Sequence, residues 1–287
     1  MFEKKIKKSI LIAFFIALFL VAFCPSYSIK IKNPRDRPIV VLGFDTEIGM
    51  RESTIHILNF LKENNISATF FVNGDFIEQN MDVAEMIANS TNELASHSHV
   101  HVAHNKLSRI EQEMIIDAHK KLIEAWLNKT VIGFRAPYRM INKNTLEVLA
   151  KNGFEYSADY HCFNHLFIFP LHKKITPHAT SCTKSFIYIF PKIFGYPIDD
   201  DFLFRHSNMS EEQALKLIKQ AFDSSSKKGY IFIVSMHPNL AEAKINFLKN
   251  FIDYAKSKNA IFMTHAQIQE MIKKDKSLVE IKYGCFK

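Results

Sequence analysis

From Pro38 onward, short apolar runs alternate with amphipathic stretches. Residues 39–44 (IVVLGF) read as a buried strand, and about 51–63 read as a helix, with apolar positions three and four apart. Residues 68–72 form a second apolar run, and a helical stretch around 83–88 leads to a third strand at 93–96. A long helical pattern over 108–127 precedes a strand at 131–134, and a helix over 143–151 precedes one at 154–157. Residues 161–206 break the rhythm, being irregular and aromatic. The alternation resumes with a helix over 210–224, a strand at 230–234, a helix over 243–257, a strand at 260–263 and a helix from His265.

Repeated strand–helix units predict a parallel sheet with right-handed crossovers. Seven or so units in about 250 residues suit a closed or nearly closed barrel rather than an open sheet. The expected architecture is therefore α/β, a distorted (β/α)7-type barrel forming a single catalytic domain over 30–287, with the irregular aromatic insert at about 161–206. In such barrels chemistry gathers at the C-terminal ends of the strands.

Ahead of this domain, residues 1–29 follow another pattern. Lys4, Lys5, Lys7 and Lys8 precede an unbroken apolar run over 10–23, and Ser26, Tyr27 and Ser28 give a polar exit. That is the layout of a secretory signal. The run is short of the ~20 residues a bilayer crossing needs; counted over 9–27 it comes close, which makes an uncleaved signal anchor the alternative. The positive flank would stay in the cytoplasm and the body would be exported, periplasmic or extracellular, with membrane contact through 9–27 if uncleaved. Bulky Phe23 before Cys24 fits a lipoprotein site poorly.

Composition adds little to this. The formal charge of +8 owes a good part to those four lysines, so the body is only mildly basic and nucleic acid is not an expected partner. Of the four cysteines, Cys162, Cys182 and Cys285 follow the signal, and no pair has zinc-ligand spacing. A Cys162–Cys182 disulfide and free buried thiols are both compatible with the spacing.

The candidate chemistry falls at the predicted strand ends. Asp45 and Glu47 follow the first strand directly, where a helix cap is the plain alternative. His97 and His101 follow the third; four apart, they would share one side of a helical turn, ready for a metal, although a histidine-rich surface loop reads similarly. Arg135-Ala136-Pro137-Tyr138 ends the fourth, and His237-Pro238 ends the strand at 230–234. Each is a weak signal by itself. Together they supply what a hydrolytic metal site needs: two histidines and a carboxylate as ligands, a second carboxylate as base and a separate histidine as acid.

The set Phe-Asp-Thr-Glu, His-Ser-x-x-His, Arg-Ala-Pro-Tyr and Met-His-Pro, in this order, resembles the polysaccharide deacetylases of the NodB-homology group, carbohydrate esterase family 4. Ile66–Val72 and Glu93–His97 resemble further parts of the family, and the similarity spans roughly 38–270. The resemblance implies Asp45 as general base, His97 and His101 as metal ligands, and Arg135 as the residue that keeps Asp45 ionised. It implies the Tyr138 N–H as an oxyanion donor and His237 as general acid. Many members carry two adjacent aspartates in the first motif; here Thr46 follows Asp45, and Glu47 is assigned as third ligand. Where the family often carries Asp-Trp, this chain has Ser157-Ala158-Asp159-Tyr160, and Asp159 is assigned to orient His237. Zn²⁺ is the default metal.

The resemblance implies hydrolysis of N-acetyl groups from an aminosugar polymer: peptidoglycan, chitin-like or another exopolysaccharide. A deacetylase or deformylase of a lipid-linked aminosugar is the rival; the phenylalanine-rich insert suits it. A glycan-binding barrel without catalysis is the alternative from another class. Among the remaining histidines, His206 and His265 are expected closest to the cleft; Asp199-Asp200-Asp201 reads as a loop cap, with a site for a cationic aminosugar product as the alternative. Asn65, Asn89, Asn128 and Asn208 each begin a glycosylation sequon.

Overall fold

The computed structural model describes residues 26–161, 163–164, 171–184 and 195–284. The signal or anchor run over 10–23 lies outside the described residues. So do Cys24, Cys162, Cys285 and the stretches 165–170 and 185–194 that carry most of the insert's phenylalanines; the side chain of Cys182 is likewise not described.

The first strand, β1 (Ser26–Ile31), crosses the expected boundary at 29/30. Next come β2 (Ile39–Thr46), β3 (Thr69–Val72), β4 (Glu93–Ser96), β5 (Gly133–Phe134), β6 (Tyr156–His161) and the short β7 (Phe163–Asn164). They are followed by β8 (Thr176–Thr180), β9 (Cys182–Lys184), β10 (Gly195–Pro197), β11 (Phe232–Met236), β12 (Ile261–Phe262) and β13 (Val279–Gly284). Parallel pairing runs in the order β11-β2-β3-β4-β5-β6-β8, with β12 joined to the start of β2. The seam between β8 and β11 is bridged: Ser181 N donates to Ile233 O at 2.9 Å, and Ser235 N donates to Ile198 O at 3.1 Å. The result is the nearly closed barrel expected.

β2 is buried along its length because both faces are covered. Val40, Leu42 and Phe44 pack into the main core beneath the helices, while Ile39 and Val41 face a smaller cluster with Ile231, Ile233, Ile268 and Ile272. Strand periodicity then turns Gly43 and Asp45 to the same side as Val41. Gly43 has no room for a side chain, since a Cβ there would lie 2.9 Å from the Arg135 guanidinium. The helices start where the sequence supplies capping boxes: Ser108 with Glu111, Asn142 with Thr145, Ser210 with Gln213 and Thr264 with Gln267. Asn65, Asn128 and Asn208 sit at φ of 52°, 49° and 46°, so left-handed turn geometry accounts for asparagine at three of the four sequons.

Two parts depart from expectation. β1 pairs antiparallel with β13 and β7, a second small sheet that the apolar pattern did not reveal. The insert is more ordered than its sequence suggests: β8 is the barrel's last strand, β9 and β10 form a hairpin, and Asp201–His206 forms a π-helical turn. Among the described residues no helix is long and apolar enough to cross a membrane.

Candidate active site

At the C-terminal ends of the strands lies a cleft of roughly 350 Å³, lined by Asp45, Glu47, His97, His101, Tyr138, Arg139, Ser235 and His237 among others. Three donors converge there. His101 Nε2 lies 3.0 Å and His97 Nε2 3.5 Å from Glu47 Oε1, and one ligand atom from each residue falls within 4.8 Å of the others. His97 Nδ1 lies 2.8 Å from the Arg135 carbonyl, an acceptor only, so Nδ1 carries a proton and Nε2 is the ring atom turned to Glu47. Burial would raise the Glu47 carboxyl, but hydrogen bonds and charge from His101 and His97 hold it far below the usual carboxylate range. Two imidazoles and an ionised carboxylate meeting with open space beside them fit a divalent metal. The histidines do not meet through a helical turn as expected: a left-handed Ser98, at φ 68°, folds the chain so that the two rings stand 5.5 Å apart.

Asp45, at the mouth of β2, accepts from Arg135 Nη1 at 2.6 Å. Arg135 is fully buried and reaches across from the end of β5, its guanidinium 3.9 Å above the Phe71 ring and its Nε directed to Ala158 O. Burial would push the Asp45 carboxyl up; Arg135 first, then His97, His237 and Arg139, outweigh that and hold it below its ordinary value.

β11 is the neighbour of β2, with Met236 opposite Phe44, so His237 emerges beside Asp45. Both oxygens of buried Asp200 serve it: Oδ2 accepts from the His237 backbone N–H at 2.6 Å, and Oδ1 lies 3.0 Å from Nδ1. Burial would lower the imidazole, but the hydrogen bond and charge of Asp200, with Asp45 and Asp201, raise it to about 9.

The role expected for Asp159 is therefore corrected. Asp159 is fully buried and accepts from the Ala136 N–H at 2.7 Å and from the Ser157 hydroxyl, whereas the hydrogen bonds of His237 go to Asp200. Burial pushes its carboxyl up to about 6. It shapes the Arg-Ala-Pro-Tyr turn, while Asp200, read as a loop cap, orients the imidazole. Tyr138 and Arg139 follow with φ of 56° and 55°, unusual for residues with side chains. The Tyr138 ring packs edge-on at 4.5 Å from His101, and Arg139 donates to Ala158 O, Thr180 Oγ1 and Ser235 Oγ across the barrel mouth. The sequence offered no signal for Arg139 beyond its place after the motif.

His206 lines the cleft as expected, but His265 does not. It is buried inside the barrel, stacked with Tyr156 and facing His178 Nδ1 at 2.9 Å. Asp75, Glu78 and His99 bring a second set of ligand atoms together outside the cleft, with Glu78 exposed.

Residues 32–157 match the family described as polysaccharide deacetylase. A peptidoglycan-N-acetylglucosamine deacetylase of Bacillus cereus is 27% identical over 128 residues, 45% of this chain and 46% of that protein. A peptidoglycan deacetylase of Helicobacter pylori is 27% identical over 100 residues, 35% of this chain and 34% of that one. The matched regions thus span under half of these relatives' length. Among solved structures, the chitin deacetylase of Colletotrichum lindemuthianum superposes with a TM-score of 0.58 at 20% identity, over 83% of this chain and 89% of that one. A family 4 carbohydrate esterase pseudoenzyme from Bacillus anthracis gives 0.59 at 18%, over 83% and 68%. At these identities the structures speak for the fold.

Proposed function

With a polysaccharide deacetylase domain over residues 32–157 as the premise, we propose that this chain hydrolyses the N-acetyl group of an aminosugar within a glycan. Glu47, His97 and His101 would hold a divalent metal, Zn²⁺ by its liking for this donor set. When bound there it would supply a Lewis acid that acidifies water and polarises the acetyl carbonyl. Asp45 takes the proton of the attacking water, and Arg135 keeps Asp45 ionised and aimed. The Tyr138 N–H is assigned to the oxygen that gains negative charge. As the C–N bond breaks, His237 gives its proton to the departing amine, and Asp200 holds the imidazole charged until then.

The observation that carries this reading is the opposite pairing of two neighbours that line one cleft: Asp45 accepts from Arg135 Nη1 at 2.6 Å, while His237 is held through its backbone N–H and Nδ1 by the two oxygens of Asp200. General acid–base catalysis needs that division at neutral pH. The test is acetate release from N-acetylglucosamine oligomers by the full chain, before and after chelation and with zinc restored. Metal-dependent acetate is expected. Acetate that survives chelation would overturn the metal assignment, and glycan binding without acetate would favour a non-catalytic barrel. The lysines before the apolar run support export of the body; alkaline phosphatase fused after residue 287 should be active only on the far side of the membrane.

A further inference from the structure

We propose that Arg139 is a positioning residue: by pinning a strained turn across the seam of the barrel, it aims the Tyr138 N–H. The use of that N–H rests on the deacetylase reading above; the pinning of the turn stands apart from it.

The chain after Arg135 breaks local rules twice. Arg139 N donates to Ala136 O at 2.9 Å, closing a turn with Pro137 second and Tyr138 third, at φ 56° and ψ 7°. A left-handed third place favours glycine. Met140 N donates to Pro137 O at 3.2 Å, closing a second turn whose central pair is Tyr138 and Arg139, both left-handed. Such a pair is usually drawn from glycine, asparagine and aspartate, because a larger side chain crowds the backbone there. Nothing in Tyr-Arg favours this shape, so contacts outside the turn hold it.

The Arg139 side chain supplies them. Nη1 donates to Ala158 O at 2.9 Å and to Thr180 Oγ1 at 3.1 Å, and Nη2 donates to Ser235 Oγ at 2.6 Å. The acceptors lie on β6, β8 and β11. The β6–β8 register shifts between Ser157 and Tyr160, and Ala158 O, inside that break, accepts from Arg139 and from Arg135 Nε. β8 and β11 stand at opposite ends of the sheet order, so one side chain ties both edges of the seam to the turn. A planar guanidinium with fixed donors can meet three acceptors in this way; a point-like ammonium cannot.

The turn bears on the chemistry because a peptide is planar and trans. Pro137 O and the Tyr138 N–H belong to one peptide plane and point in opposite directions. Holding Pro137 O on Met140 N therefore fixes where the Tyr138 N–H points, and that N–H is the donor assigned to the developing oxyanion. Asp159 holds the start of the same turn through Ala136 N, and Arg139 holds its end. The turn also sets the Tyr138 ring edge-on to His101 at 4.5 Å.

The experiment compares the full chain, supplied with zinc, with two variants. Arg139→Gly suits the backbone but loses the guanidinium; Arg139→Lys keeps the charge without the fork. Hydrogen exchange reads the turn with no substrate present. The amides of residues 139 and 140 should exchange about tenfold faster or more in Arg139→Gly; unchanged exchange would overturn the pinning. On N-acetylglucosamine oligomers, kcat should fall by about 10–100-fold in Arg139→Gly while KM stays within about twofold. Arg139→Lys should lose kcat in the same sense. Unchanged kcat would overturn the aiming of Tyr138 even where exchange is faster. A raised KM with kcat unchanged would make Arg139 a substrate contact instead. If Arg139→Gly does not fold, Arg139→Lys decides: wild-type exchange and kcat there would overturn the proposal. No acetate from the wild type would overturn the deacetylase reading and the use of Tyr138 with it, while exchange still decides whether Arg139 holds the turn.

Discussion

Two charged pairs stand at the ends of neighbouring strands and handle burial in opposite ways. In the proposed reaction the acid at the end of β2 is the working group: Asp45 is held ionised by Arg135, whose charge is enclosed by Phe71, Gly43 and the Ala158 carbonyl. At the end of β11 the acid is the support: buried Asp200 gives both oxygens to His237 and raises the imidazole to about 9. Each pair combines a cation and a carboxylate, yet one is poised to accept a proton and the other to donate one. Which partner faces the cleft decides the role. Arg135 is fully buried behind Asp45, and Asp200 is buried behind His237.

The comparison breaks most severely at the base. Asp45→Asn should lower kcat/KM by about 10⁴-fold, at the upper end for a proton-transfer group, while metal content measured by atomic emission stays near one per chain. Arg135→Met removes the cation and leaves a buried carboxylate unpaired. It should destabilise the fold by about 3–5 kcal/mol in urea unfolding and lower turnover as Asp45 takes up a proton. Asp200→Asn should cost about 10²-fold in kcat/KM at neutral pH, because His237 loses the charge that keeps it protonated. Asp159→Asn should do least to the chemistry: its bonds to Ala136 N and Ser157 can survive as an amide, so activity should fall by no more than about threefold, with a stability loss of about 1–2 kcal/mol. A larger loss of activity there would return Asp159 to the role first assigned from sequence.

The sign of the pH dependence follows from His237. Its folded value lies above the ordinary imidazole value, so the stability it contributes is fully present below the ordinary value. That contribution, and with it the proton that His237 gives in the proposed reaction, is lost as pH rises through about 9.

Much of the barrel was legible because its helices carry clear apolar faces and its central strands are short apolar runs; the helices Arg51–Glu63 and Lys143–Lys151 fall where the periodicity puts them. β8 was not, because Thr176-Pro177-His178-Ala179-Thr180 has neither alternation nor an apolar run; as the last strand of the sheet it tolerates Pro177. β1 was hidden by its neighbour, since Ile29 and Ile31 follow the apolar run so closely that their alternation reads as its exit. The site residues on β2, β4, β5 and β11 were legible because strand ends mark them. Asp200 was not: its partner His237 is 37 residues away, and a run of three aspartates reads equally well as a solvated loop.

The most direct test of this division of labour is the alkaline limb of kcat/KM, measured for the wild type, Asp200→Asn and Asp159→Asn on one N-acetylated substrate. The limb should fall near the value of about 9 set by His237, move down by about a unit or more in Asp200→Asn, and stay in place in Asp159→Asn. The same limb in all three proteins, or a shift in Asp159→Asn alone, would contradict the assignment of Asp200 and His237 as the proton-donating pair.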